Sequence, residues 1–168
     1  MARKNKRLVH LFGNMAKSME PYYHQLDLRA VDELTDEAFA YIMPNVKGVN
    51  MLDLNEAEIG NESIELLTKL EYVKELRIKG CRSIDNGCIG SLNKINGLEF
   101  IHARYTGITI DGLLQLTGHP GMKTLMFSND ANEDLREKML QLRSLMPACE
   151  FVIDAKGYYF DEEPNYPT

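Results

Sequence analysis

The chain has 168 residues, of which 44% are hydrophobic and 26% charged, with a formal net charge of −6. That length suits one domain with a continuous core, and the composition excludes disorder throughout. The mild acidity argues against general affinity for nucleic acid or anionic membrane, and no apolar run reaches the ~20 residues of a membrane span.

In chain order, the first segment is basic. Arg3, Lys4, Lys6, Arg7 and Lys17 precede the first acidic residue, Glu20, while Leu8, Leu11, Phe12, Met15 and Met19 recur at helical spacing. The pattern predicts an amphipathic helix over residues 1–20, acting as a cap on the open end of a stacked domain. A mitochondrial presequence shares this cationic, acid-poor character, whereas a secretory signal needs a longer apolar stretch.

From residue 21 a repeat takes over. Leu26-Asp27-Leu28, Leu52-Asp53-Leu54, Leu76-Arg77-Ile78, Ile101-His102-Ala103 and Leu125-Met126-Phe127 recur every 24 to 26 residues, each preceded at three residues by Tyr23, Val49, Val73, Leu98 or Met122. A second block keeps the same period: Leu34 to Phe39, Ile59 to Ile64, Ile84 to Ile89 and Ile108 to Leu113. The first block reads as a short strand with two inward apolar residues, and the second as the start of a helix. Asp36, Asn61, Asp85 and Thr109 stand where short oxygen-bearing side chains cap helices.

Leu135, Met139, Leu142 and Leu145 then keep helical spacing over a longer unit, Pro147 ends it, and Cys149-Glu150-Phe151 predicts a last strand. The domain is expected over residues 1–156, with repeats over 21–128 and a C-terminal cap over 129–156. Residues 157–168 form a Tyr-, Pro- and acid-rich tail, mobile or laid along the cap.

The three cysteines suit reduced thiols in a core. Cys81 falls in an inward turn column with Val31, Ala57, Thr106 and Asp130. Cys88 belongs to a column of small residues with Ala38, Ser63 and Gly112, where helix and sheet approach closely. Cys149 lies 24 residues after Leu125, at an inward strand position.

The apolar spacing L-x-x-L-x-L is the strand signature of leucine-rich repeats. It predicts an α/β fold: a right-handed solenoid with a curved parallel sheet of about 5–6 short strands and helices on the convex side. ELRIKGCRSIDNGCIGSL, Glu75 to Leu92, resembles the cysteine-containing class of these repeats, common in F-box proteins, although no F-box is apparent here. Over Tyr72 to Ile153, about half the chain, the segments YVKELRIKGCRSIDNGCIGSL, ITIDGLLQL, GMKTLMFSND and LMPACEFVI resemble the ATP synthase subunit s (coupling factor B) family. That family is related to an assembly factor for the distal membrane arm of respiratory complex I. The resemblance implies an accessory or assembly role in a mitochondrial energy-transducing complex.

The open face of the predicted sheet carries three columns. The central one is Asp27, Asp53, Arg77, His102, Met126 and Glu150. Its flanks are Arg29, Asn55, Lys79, Arg104, Ser128 and Val152 on one side, and Gln25, Met51, Glu75, Phe100, Thr124 and Ala148 on the other. Arg77, Lys79, His102 and Arg104 converge on strands ~4.8 Å apart, with Phe100, Tyr105 and Met126 adding apolar contact. Crowded like charges favour an acidic protein partner.

Chemistry is poorly supported. His10, His24, His102 and His119 lack metal-ligand spacing, no G-x-S-x-G serine occurs, and Asp27 with Asp53 lacks a pocket. The expected function is therefore a non-enzymatic protein-interaction module without cofactor or metal, binding through its concave face. The alternatives are the subunit s-like role, a substrate-recognition subunit, or a small-anion binder at the basic cluster. A cytoplasmic location is expected, or a mitochondrial one if the resemblance governs. Neither the identity of the partner nor the oligomeric state is encoded in the spacing.

Overall fold

Six parallel strands lie side by side in the order in which the chain makes them, and a seventh turns back antiparallel at the edge. The computed structural model describes residues 2–160, with side chains from Lys6 onward. Helix α1 (Ala2–Ser18) leads into β1 (Tyr22–Asp27), α2 (Asp36–Ile42), β2 (Gly48–Asp53), α3 (Asn61–Leu67) and β3 (Tyr72–Arg77). A 3₁₀ turn (Asn86–Cys88) opens α4 (Ile89–Leu92), followed by β4 (Phe100–His102), α5 (Ile110–Leu113), β5 (Thr124–Phe127), α6 (Arg136–Leu145), β6 (Glu150–Ile153) and β7 (Lys156–Gly157). The chain is thus α/β, with an open, mostly parallel seven-stranded sheet.

The register explains the repeat. Leu26, Leu52, Leu76, Ile101, Leu125 and Phe151 align across the six parallel strands, and all are buried. No strand of three to six residues buries its own apolar side chains, so each needs its neighbours above and below. The small-residue column is also as expected: Ala38, Ser63, Cys88 and Gly112 are all buried. A Cβ on Gly112 would stand 2.1 Å from Asn86 Oδ1, so a larger residue here would have to displace the Asn86 side chain. Glycines Gly87 and Gly90 also weaken helix propensity, consistent with a 3₁₀ turn and an α4 of only 4 residues.

The helix starts are tied laterally, which differs from the expected local caps. Thr35, not Asp36, caps α2 through Ala38 N–H. Asp36 Oδ1 instead accepts from Gly60 N (2.9 Å), Ser63 N (3.0 Å) and Ser63 Oγ, at the start of the next helix. Gly60 has no side chain with which to cap α3, so the preceding unit supplies the acceptor. Asn61 likewise accepts from Asp85 N (3.1 Å), and Asn86 from Thr109 N (2.9 Å). Asp85 and Thr109 do cap their own helical turns.

Other expectations need correction. The sheet has seven strands because β7 folds back on β6, and the expected 156/157 boundary falls inside β7. Tyr158 and Phe160 pack against the core, Phe160 edge-on to Phe151 at 6.0 Å; residues 161–168 lie outside the described residues. The last strand is shifted by two: Leu125 pairs with Phe151, Met126 with Val152 and Thr124 with Glu150. Glu150 therefore does not stand beside Met126, and Val152 does not stand beside Ser128. Burying the larger Phe151 ring outweighs burying Cys149, which sits half-buried just before the strand. Asp130 is exposed rather than inward, because Asn129 closes the departing loop by bonding Glu133 at both N–H and carbonyl. On α1 the packed stripe is Leu8, Phe12, Met15 and Ala16, continued by Met19 just beyond the helix; Leu11 lies off it and is 48% exposed.

Cys81 lies wholly buried and its Sγ donates to Leu54 O at 3.1 Å, a tie between successive units. Burial pushes the Cys81 thiol up to about 11, and those of Cys88 and Cys149 to about 12, from an ordinary 9.0. In the folded chain these thiols stay protonated while unfolded chains release protons above about pH 9, so stability falls as pH climbs from there. Cys81 and Cys88 are expected to resist iodoacetamide at pH 8 until urea unfolds the chain. Rapid alkylation of either in the native protein would contradict this packing.

Candidate protein-interaction surface

Alternation along β3 and β4 sends Glu75 and Arg77, and Phe100 and His102, to the face opposite the core. The register sets Glu75 beside Phe100, and Arg77 beside His102, with Met126 next in that row. Beyond the strand ends the ladder continues, Gly80 N donating to Arg104 O at 2.9 Å, which brings Lys79 and Arg104 alongside. All seven residues expected at the site thus gather on β3, β4, β5 and the turns just beyond them.

The charges are unevenly compensated. Arg77 Nη2 contacts Glu75 at 3.2 Å, and Lys79 contacts Glu56 at 3.4 Å. Partly exposed pairs of this kind contribute about 0–1 kcal/mol each. Among the described residues Arg104 has no carboxylate partner; its Nη2 donates to the Tyr105 hydroxyl at 2.8 Å. Aromatic faces take the remaining contacts: Arg77 lies 5.2 Å over Phe100, Arg104 4.8 Å over Tyr105 and Lys79 6.0 Å over Tyr105.

His102 sits at the centre. Burial, then Arg104, Lys79 and Arg77, lower its pKa, with Asp53 opposing, so the ring is neutral at pH 7. Among the described residues, three nitrogens here are withdrawn from solvent with no hydrogen-bond partner: Arg77 Nε, His102 Nε2 and Arg104 Nε. An unsatisfied buried donor costs about 1–3 kcal/mol, so their concentration in one patch calls for an explanation.

The turn after the strand matters as much as the strand. Glu56 (φ 63°), Gly80 (φ 77°) and Tyr105 (φ 57°) occupy the same left-handed position in three successive units. Gly80 meets this without steric penalty, and its missing Cβ leaves room for Glu56, whose carboxylate would stand 2.1 Å from it. Tyr105 meets it under strain, held by its N–H donating to Ser128 Oγ at 3.0 Å. The 24- and 25-residue spacing of these three is visible in the sequence; their backbone conformation is not.

The expected columns hold less well towards β1. Asp53 is 4% exposed rather than open, receiving Asn55 N at 3.1 Å and Arg29 Nε at 3.4 Å. Ser128 is also buried, at 8% exposure, by its bond to Tyr105. Asp27 pairs with Arg29, which holds its carboxyl down at about 2, so Asp27 and Asp53 are bridged by a cation rather than forming an acidic strip. Among the described residues no three His, Cys, Asp or Glu side chains gather to hold a metal, and no helix is long and apolar enough to cross a membrane. No protein-family model matches the chain, and no curated protein matches it.

Proposed function

We propose that this chain is a leucine-rich repeat solenoid that binds an acidic protein partner through the concave face of its sheet and catalyses no reaction. The solenoid reading draws support from parallel strands in sequential order, paired in register at steps of 24 to 26 residues. Right-handed crossovers are the strong rule for such β-α-β connections. The observation that carries the binding reading is the concentration of Arg77, Lys79, His102 and Arg104, with Arg104 lacking an acid and three nitrogens lacking partners among the described residues. Phe100, Tyr105 and Met126 supply apolar contact around it.

A narrower role, accessory or assembly factor of a mitochondrial energy-transducing complex, is favoured by the resemblance of Tyr72 to Ile153 to the subunit s family. Affinity capture with the tagged full chain tests both, beside a variant carrying Arg77→Glu and Arg104→Glu. A partner retained by the parent and lost from the variant is expected. Subunits of a respiratory or ATP synthase complex among those partners would select the narrower role, and a ubiquitin-ligase client the substrate-recognition role. An unchanged partner set would sink the basic face as the interface. Calorimetric binding of inorganic phosphate with no protein captured would move the site to the small-anion reading.

A further inference from the structure

The two arginines of the site are half-satisfied in the same way. In Arg29 and Arg136 the side edge of the guanidinium, Nε with Nη2, is filled by one carboxylate two residues earlier. Asp27 takes Arg29 at 3.0 and 2.6 Å, and Asp134 takes Arg136 at 3.1 and 2.6 Å. Among the described residues, Arg77 and Arg104 engage only Nη2, with Glu75 and with the Tyr105 hydroxyl, while Nε has nothing. A carboxylate's two coplanar oxygens match that edge. His102, paired with Arg77 across the strands and under the charge of both arginines, has its Nε2 likewise without a partner among the described residues.

We propose that the partner is an extended acidic segment that places one carboxylate side chain over His102, where one oxygen accepts from the unpartnered Nε of Arg77 and the other from that of Arg104. This deepens the interaction reading above and rests on it. Both arginine side chains are half-exposed while their Nε atoms are covered, so the segment turns the guanidinium groups outward as it binds. Phe100 and Tyr105 flank the position, each already stacked on one of the two arginines. Tyr105 reaches this place from a left-handed backbone (φ 57°), the position that Glu56 and Gly80 take in the two preceding units.

An incoming carboxylate adds an anion to a ring whose charged form is opposed by burial, Arg104, Lys79 and Arg77 and favoured only by Asp53. His102 therefore takes up part of a proton from solvent on binding, most at a pH between its free and bound pKa values. The proton affinity of His102 is raised in the complex, so the complex is favoured at low pH and weakens as pH rises through the bound-state pKa.

The test uses the full chain and a fluorescein-labelled 12-residue probe of alternating aspartate, glycine and serine, with asparagine and phosphoserine versions as controls. Titration of the His102 ring by NMR is expected to show its pKa rising by about one unit or more at saturation, with affinity about three- to fivefold weaker, or more, at pH 8 than at pH 6. His102→Gln should abolish that pH dependence while leaving measurable binding. Tyr105→Gly should weaken the probe about tenfold while Tm stays within about 3 °C of the parent or rises, because glycine relieves the strain.

A flat His102 titration at saturation overturns the proposal, as does equal binding of the asparagine probe. Tighter binding of the phosphoserine probe would overturn the carboxylate assignment. If capture by the parent chain is lost on charge reversal yet the titration is flat, the interface stands and only the carboxylate placement falls. If capture is unchanged, the interaction reading itself falls.

Discussion

Truncation of Leu76 to alanine is expected to lower the unfolding free energy by about 3–5 kcal/mol and the Tm by roughly 10 °C, the upper range for a buried leucine. Leu76 is fully buried in β3, with Leu52 aligned on one side and Ile101 on the other. Those neighbours belong to strands whose backbones are themselves pinned by further pairs, so the cavity cannot collapse by moving one strand. Leu26 occupies the same position in β1 but has a strand on one side only, and it is 6% exposed. Its truncation should cost about 2 kcal/mol, at the low end of the range for such a change. Urea unfolding followed by circular dichroism measures both. Equal costs at the two positions would contradict the idea that each unit is supported from both sides.

The period makes most of the fold legible. It places Leu52, Leu76, Ile101 and Leu125 in one row, and Ala38, Ser63, Cys88 and Gly112 in another, because a repeat that stacks must repeat its packing. It also brings Arg77, Lys79, His102 and Arg104 together, two pairs that lie 25 residues apart and mean nothing as a linear motif. The period fails where the repeat itself changes. The last unit is 26 residues long, from Leu125 to Phe151, whereas a 24-residue spacing points to Cys149. Alternation puts Asp53 on an open face, yet Arg29 from the turn after β1 lies over it. Side-chain reach of this kind depends on rotamers that no spacing encodes. Spacing gives Tyr105 only as a ring near the site; its left-handed backbone follows from the turn geometry, and Gly80 at the equivalent position is the one hint of it.

Asp36 shows the same limit with the largest polar consequence. Read locally, it is an acid in the first turn of α2, worth a few tenths of a kcal/mol through the helix dipole. In the fold its Oδ1 takes three donors from the next unit, Gly60 N, Ser63 N and Ser63 Oγ, and Ser63 is wholly buried. Removing the acceptor leaves the start of α3 without a cap and a buried hydroxyl without a partner. Asp36→Ala is therefore expected to cost about 2–4 kcal/mol, combining a charge-assisted bond with the desolvation of stranded donors. Asp36→Asn keeps an oxygen in place and should cost about half as much. Asn61→Ala, which cuts the equivalent tie one unit later at an exposed site, should cost about 1 kcal/mol. Pairing Asp36→Ala with Ser63→Ala separates bond from packing: the double variant should recover about 1 kcal/mol relative to additivity, since one stranded hydroxyl is gone. Strict additivity would mean that Asp36 acts on α2 alone, and that the units are joined by their apolar rows without this polar seam.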